Sequence, residues 1–319
     1  MLKQFHKHPI VLIGIVMGIL LVSVLFAGCT SAPATPVTLA ATAAPTTVVA
    51  TPQPAAVTTG APVATTAAVT MTSTPAPVYT PSQGTVVAFT AASLKGVSPK
   101  LASDFAAIYP GNKVVFNLDG TQALKTQVEN GAYADVFLSA SNTYTTALTN
   151  EGYFVTGSVK PLTSNYVIVI LPASNPANIQ SLADLAKPGV KIAMEDKTVP
   201  AGTATFAALA NLAKSTYNQE WNTSVFKNVV TYETSEPGVA TKVALGEVDA
   251  GFVYESTFTA APKDTYKAVT IAKKDNYLQT YTIGVLKESN SPATAQMFED
   301  FMLSGIGQQD LKAYGFRSL

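Results

Sequence analysis

Residues 30–83 limit how much of this 319-residue chain can fold: they are almost wholly Thr, Ala, Pro and Val and include no Asp, Glu, Lys or Arg. With no hydrophobic period, such a stretch cannot bury enough apolar surface to offset the ordering of its backbone. A semi-extended tether is expected, spanning up to about 3.1 Å per residue where it is polyproline-like. Its Thr and Ser content suits O-glycosylation of an exposed stalk. Any core must lie in 85–319, which is long enough for one large domain or two small lobes.

Ahead of the tether, residues 1–8 carry Lys3 and Lys7, residues 9–26 are almost wholly apolar, and Leu25-Phe26-Ala27-Gly28-Cys29 sets small residues before the only cysteine. This arrangement resembles a lipoprotein signal with its lipidation box. It implies a signal peptide over 1–28, lipidation at Cys29, a tether over 29–84, and a protein held at the cell membrane with its folded part on the extracytoplasmic side. An uncleaved transmembrane anchor is the other reading of the apolar run, which is near the roughly 18-residue lower limit for a span.

Both histidines, His6 and His8, fall in the signal, so 85–319 contains neither Cys nor His. That excludes thiol nucleophiles, disulfides, thiolate or imidazole metal sites and Ser-His-Asp chemistry. Carboxylate-only enzymes and Ser-Lys pairs survive this filter. Arg317 is the sole arginine and the formal net charge is zero, so no nucleic-acid surface is indicated. The composition favours an extracellular binding domain over an enzyme.

Strands and helices alternate in the manner of an α/β fold. Strands are predicted at 86–89, 113–118, 135–138, 166–171, 190–194, 228–232, 250–254 and 281–286. Helices are predicted at 94–108, 123–130, 203–214, 239–245 and 292–304, with a shorter element at 182–186. In open α/β sheets ligands bind where strands end and helices begin. Four such junctions, 90–93, 119–122, 199–203 and 235–239, offer Gly, small residues or hydroxyls whose backbone N–H groups are left unpaired. Each taken singly is an ordinary helix cap; together they form a candidate anion site. Asp119 is expected to cap the helix beginning near Gln122.

Five segments carry a family resemblance: Phe89-Thr90-Ala91-Ala92-Ser93-Leu94, Tyr133-Ala134-Asp135-Val136-Phe137-Leu138-Ser139-Ala140, Val199-Pro200-Ala201-Gly202, Leu245-Gly246-Glu247-Val248-Asp249-Ala250-Gly251-Phe252-Val253-Tyr254, and Ala313-Tyr314-Gly315-Phe316. As an ordered set across about 86–316 they resemble the periplasmic molybdate-binding proteins of ABC transporters. The resemblance implies a type II periplasmic-binding-protein fold of two lobes, each a mainly parallel sheet flanked by helices. Lobe one would span about 86–165 and 281–319, and lobe two about 166–280, with hinge strands near Tyr166 and Tyr281. It also implies a monomer that needs no cofactor, closes over molybdate or tungstate, and delivers the ion to a membrane permease.

The family's contacts map onto Ser93, Thr121, the Ala201 N–H, one residue of the 235–239 junction, and the Tyr254 hydroxyl. Ungapped counting back from Gly251 places Glu236 at the fourth contact; allowing one missing helical turn places Val239 there. These groups would reach the metal only through the oxygens of the ion. Glu236 departs from the family, where an apolar residue offers its N–H. The expectation is that its side chain turns away as a solvated cap, with direct ligation to the metal as the disfavoured option. A fully ionised oxyanion needs donors and no acceptors, and hydroxyls and N–H groups at helix ends supply them.

Three other readings stay open. A different tetrahedral oxyanion such as sulfate would suit the same donors. A carboxylate-based extracellular enzyme would draw on Asp135, Glu195, Asp196, Asp249 and Glu255, and a stalked adhesion module would account for the tether alone.

Overall fold

The computed structural model describes residues 84–318. The expected signal over 1–28, Cys29 and the tether up to residue 83 lie outside the described residues. Among those described, no helix is long and apolar enough to cross a membrane.

The first half of the domain is built from β1 (Thr85–Ala91), α1 (Ser98–Ile108), β2 (Lys113–Asp119), α2 (Thr121–Glu129), β3 (Val136–Ser139) and α3 (Asn142–Asn150). A 13-residue strand, β4 (Lys160–Pro172), leads into the second group. That group contains β5 (Ile192–Glu195), α4 (Pro200–Ser215), α5 (Gln219–Lys227), β6 (Val229–Glu233), α6 (Glu236–Ala244), β7 (Ala250–Tyr254), α7 (Glu255–Ala260) and β8 (Tyr266–Thr270). The chain returns through β9 (Leu278–Val285) and closes with α8 (Pro292–Leu303) and α9 (Gly305–Ala313).

The strand order is β2-β1-β3-β9-β4-β7-β5-β6, with β8 paired to β4. The trios β2-β1-β3 and β7-β5-β6 are parallel, whereas β4, β8 and β9 pair antiparallel. Strand β4 changes partners midway: Lys160 to Tyr166 lie against β9, and Val167 onward against β7 and β8.

Alternation along each strand decides which helices it receives. In β1, Val86 and Ala88 share a cluster with Leu101 and Phe105 of α1 and Phe298 and Phe301 of α8, while Phe89 faces Leu124 and Val128 of α2. Phe105 and Phe298 meet edge-on at 5.3 Å between ring centroids, a favoured aromatic geometry. In β5, Ile192 and Met194 join Ala204, Ala208 and Leu209 of α4, and Ala193 faces Val239 and Val243 of α6. Strands covered on both faces read as continuous apolar runs.

Several boundaries differ from the sequence expectation. The helix expected over 94–108 starts at Ser98, after a short 3-10 turn at Ala92–Leu94. Helices α4 and α6 each start three residues early because Pro200 and Pro237 occupy first-turn positions, where the missing N–H has no intrahelical partner to lose. Asp119 does not cap α2. Gly120 is the N-cap, and the Asp119 carboxylate accepts the Gly120 N–H at 2.7 Å.

Candidate functional site

The C-terminal ends of β1, β2, β3, β5, β6 and β7 and the helix starts that follow them line one cavity, with about 20 Å³ of space for the centre of a water molecule. All four predicted junctions contribute to its wall, and no Lys or Arg does. Ser93 comes from the turn after β1, Thr121 opens α2, Ala201 lies in the first turn of α4, and Tyr254 ends β7. Glu236 opens α6 on the same cavity, but Val239 does not reach it. The early start of α6 puts Val239 a full turn inside the helix, where it is buried in the apolar cluster against β5.

The Ser93 and Thr121 hydroxyls are held by their neighbours. Ser93 Oγ lies 2.8 Å from Tyr281 Oη of β9; if the tyrosine donates, the serine proton is free for the cavity. Thr121 Oγ1 accepts the Ala140 N–H at 3.2 Å, leaving its own proton to donate. Tyr254 is 1% exposed and its Oη has no partner. Burial is the first cause that pushes both Tyr254 and Tyr281 well above the usual tyrosine range, so their hydroxyls remain protonated donors. In α4 the N–H of Ala201 belongs to a first turn that has no helical carbonyl to meet it. Gly202 holds this turn in place: a Cβ there would lie 1.9 Å from the Asp196 carbonyl oxygen.

The carboxyl groups overturn two expectations. Glu236 is not a solvated cap: it is 3% exposed, and its Oε1 accepts the Tyr254 N–H at 2.5 Å and the Thr257 hydroxyl at 2.7 Å. The helix start is covered by the end of β7 and by α7, so a carboxylate there is enclosed. Burial pushes Glu236 up to about 7, against those two hydrogen bonds, which act to lower it. Nor is the wall made of donors alone, because Glu195, the last residue of β5, is fully buried beside Glu236 and its oxygens have no hydrogen-bond partner beyond its own backbone N–H. Burial and the nearby Glu236 raise it well above the carboxylate range. Its signal in the sequence was a carboxylate at the C-terminal end of an apolar strand.

The remaining carboxylates weighed for catalysis are engaged elsewhere. Asp135 accepts the Val87 N–H, Asp249 the Lys191 N–H, Asp196 the Thr198 N–H, and Glu255 pairs with Arg317. Two contacts bridge the strand groups beside the cavity: Gln122 Nε2 donates to the Thr234 carbonyl at 2.8 Å, and the Tyr144 hydroxyl donates to the Thr198 carbonyl.

Residues 86–317 match the family model for bacterial extracellular solute-binding proteins. The molybdate-binding protein ModA of Mycobacterium tuberculosis (strain H37Rv) is 33% identical over 239 residues, covering 74% of this chain and 86% of the relative. The solved periplasmic molybdate-binding protein of Azotobacter vinelandii superposes with a TM-score of 0.64 at 22% identity, covering 73% of this chain and 99% of that one. The sulfate-binding protein SubI of M. tuberculosis also reaches a TM-score of 0.64, at 16% identity over 74% of this chain and 87% of that one. The two solved proteins share this backbone although one is named for molybdate and the other for sulfate.

Proposed function

The chain belongs to the bacterial extracellular solute-binding proteins, and on that premise we propose that it is the receptor of an ABC transporter, capturing molybdate or tungstate and delivering it to the membrane permease. The observation that carries this reading is the convergence of Ser93, Thr121, Ala201 and Tyr254 on one buried cavity without a basic side chain. Helix starts and neutral hydroxyls stabilise an oxyanion through oriented dipoles and hydrogen bonds. The 33% identity to a molybdate-binding protein favours these ions over sulfate.

In this reading 86–165 with 281–319 form one lobe and 166–280 the other, and they close over the ion about β4 and β9. The Gln122 and Tyr144 bridges support a closed arrangement. The protein acts as a monomer and a carrier, not an enzyme, needs no cofactor, and is anchored through lipid on Cys29 with 29–84 as its leash.

A thermal-unfolding series with molybdate, tungstate, sulfate and phosphate tests the reading. A ligand at 100 times its Kd adds about 2.7 kcal/mol, so molybdate or tungstate should raise the midpoint by several degrees. No shift with any of the four ions would refute it.

A further inference from the structure

The cavity wall holds two buried carboxyl groups, Glu195 and Glu236, and no basic side chain. The charged or titratable groups facing Glu195 are Glu236 from α6, Glu233 at the end of β6, Tyr254 from β7 and Tyr281 from β9. Glu233 pairs in register with Glu195, and its carboxylate lies 3.8 Å from Lys242, which is shared with Glu247. The start of α4 and the turns after β1 and β2 bring Ala91, Ala92, Ser93, Gly120, Thr121, Pro200 and Ala201, none of them charged.

An ionised Glu195 would meet a dianion in a medium of low dielectric, with no donor but its own backbone N–H to offset its charge. A neutral Glu195 removes that repulsion and adds a donor to the cavity wall. We propose that Glu195 is a specificity-determining residue that binds the oxyanion as the neutral acid, donating its carboxyl proton to a ligand oxygen, so that capture retains or takes up a proton and fails when Glu195 ionises. Any proton taken up comes from solvent, and no bond of the ion is broken. The inference rests on the oxyanion reading above and adds that affinity is coupled to pH. Glu236, whose Oε1 is already filled by two donors, modulates Glu195 through its charge.

The raised affinity of both carboxyls for protons is consistent with this geometry, since burial disfavours the ionised form of each. The arrangement also predicts selectivity. A cavity whose acid is protonated prefers a fully ionised ion, whereas an ionised Glu195 would accept a hydrogen bond from a protonated one such as hydrogen phosphate.

The test is titration calorimetry of the full chain with molybdate between about pH 6 and 9, repeated in buffers of different ionisation enthalpy to count protons. Wild type should take up protons at the alkaline end, its affinity falling up to tenfold per pH unit for each proton linked. Glu236→Gln should keep the part of this slope due to Glu195. Glu195→Gln, which cannot ionise and still offers an N–H, should bind at pH 6 within about tenfold of wild type. With Glu236→Gln added, it should show no slope. Molybdate binding with no proton uptake across the range would overturn the inference and leave the receptor reading standing. So would a hundredfold loss in Glu195→Gln at pH 6, or a preference for phosphate. Failure to bind any oxyanion at any pH would instead refute the receptor reading. Should Glu195→Gln fail to fold, proton counting on wild type and Glu236→Gln still decides.

Discussion

Replacing Glu236 by Gln should flatten the pH dependence of stability in the unliganded protein. The carboxyl rises from 4.5 to about 7 because it is buried between the start of α6 and the end of β7. At 1.36 kcal/mol per pKa unit, that shift is worth about 3 kcal/mol. The folded pKa is raised, so between pH 4.5 and about 7 the native state keeps a proton that the unfolded chain has released. The contribution is complete below pH 4.5 and is lost as pH climbs through about 7. Gln keeps a carbonyl oxygen to accept the Tyr254 N–H and the Thr257 hydroxyl, but it does not ionise. Urea unfolding of both proteins at pH 4.5, 6 and 8 provides the comparison, repeated in the Glu195→Gln background because the charge of Glu236 acts on Glu195. Wild type should lose about 3 kcal/mol relative to Glu236→Gln between the extremes, roughly 6–12 °C in Tm for a domain of this size. A wild-type-to-variant difference that stays constant from pH 4.5 to 8 would show that the carboxylate is solvated and refute the reasoning.

Ser93→Ala and Thr121→Ala should each weaken oxyanion binding by about tenfold to a hundredfold, the cost of one hydrogen bond to a charged group; calorimetry checks this, and unchanged affinity in both would remove them from the site. Ser93→Ala should also lower stability by about 0.5–1.5 kcal/mol, because it removes one of the two side-chain hydrogen bonds of the buried Tyr281 hydroxyl and leaves the one with Asn165, whereas Ser93→Thr should recover most of that loss in urea unfolding. In Gly120→Ala a Cβ would fall 2.6 Å from the Thr234 backbone carbonyl oxygen, so the start of α2 must shift away from it, and both the affinity and the unfolding midpoint should drop. Cys29→Ala should abolish metabolic lipid labelling and release the protein from the membrane; equal labelling of the variant would count against a lipid anchor.

The parts of the fold legible in the sequence were those where one physical signal dominates. Ala250–Tyr254 is a wholly buried strand read to the residue, because an apolar run between Gly246 and a polar helix start permits little else. The N-terminal part of β4 was missed since 160–165 is polar. Its burial relies on hydrogen bonding: Ser164 exchanges backbone bonds with Arg317, and Asn165 donates to Ser256 at 2.8 Å. Helix α3 was missed too. Its Thr- and Asn-rich sequence has weak helix propensity, and it forms behind a Ser141 cap with Thr145 and Leu148 packed inward. At the site, the four junctions were legible because caps and glycines announce helix starts. The placement of Glu195 and Glu236 was not, since glutamates are mostly exposed and only the assembled helices and strands show what encloses them.

The central claim is that the buried cavity holds one tetrahedral oxyanion per chain. Titration calorimetry of the purified protein with molybdate and with tungstate at fixed pH tests it most directly. One ion should bind per chain, each ion should displace the other, and Thr121→Ala should weaken both. Absence of saturable heat with both ions, or saturation that Ser93→Ala, Thr121→Ala and Tyr254→Phe all leave unchanged, would contradict the account.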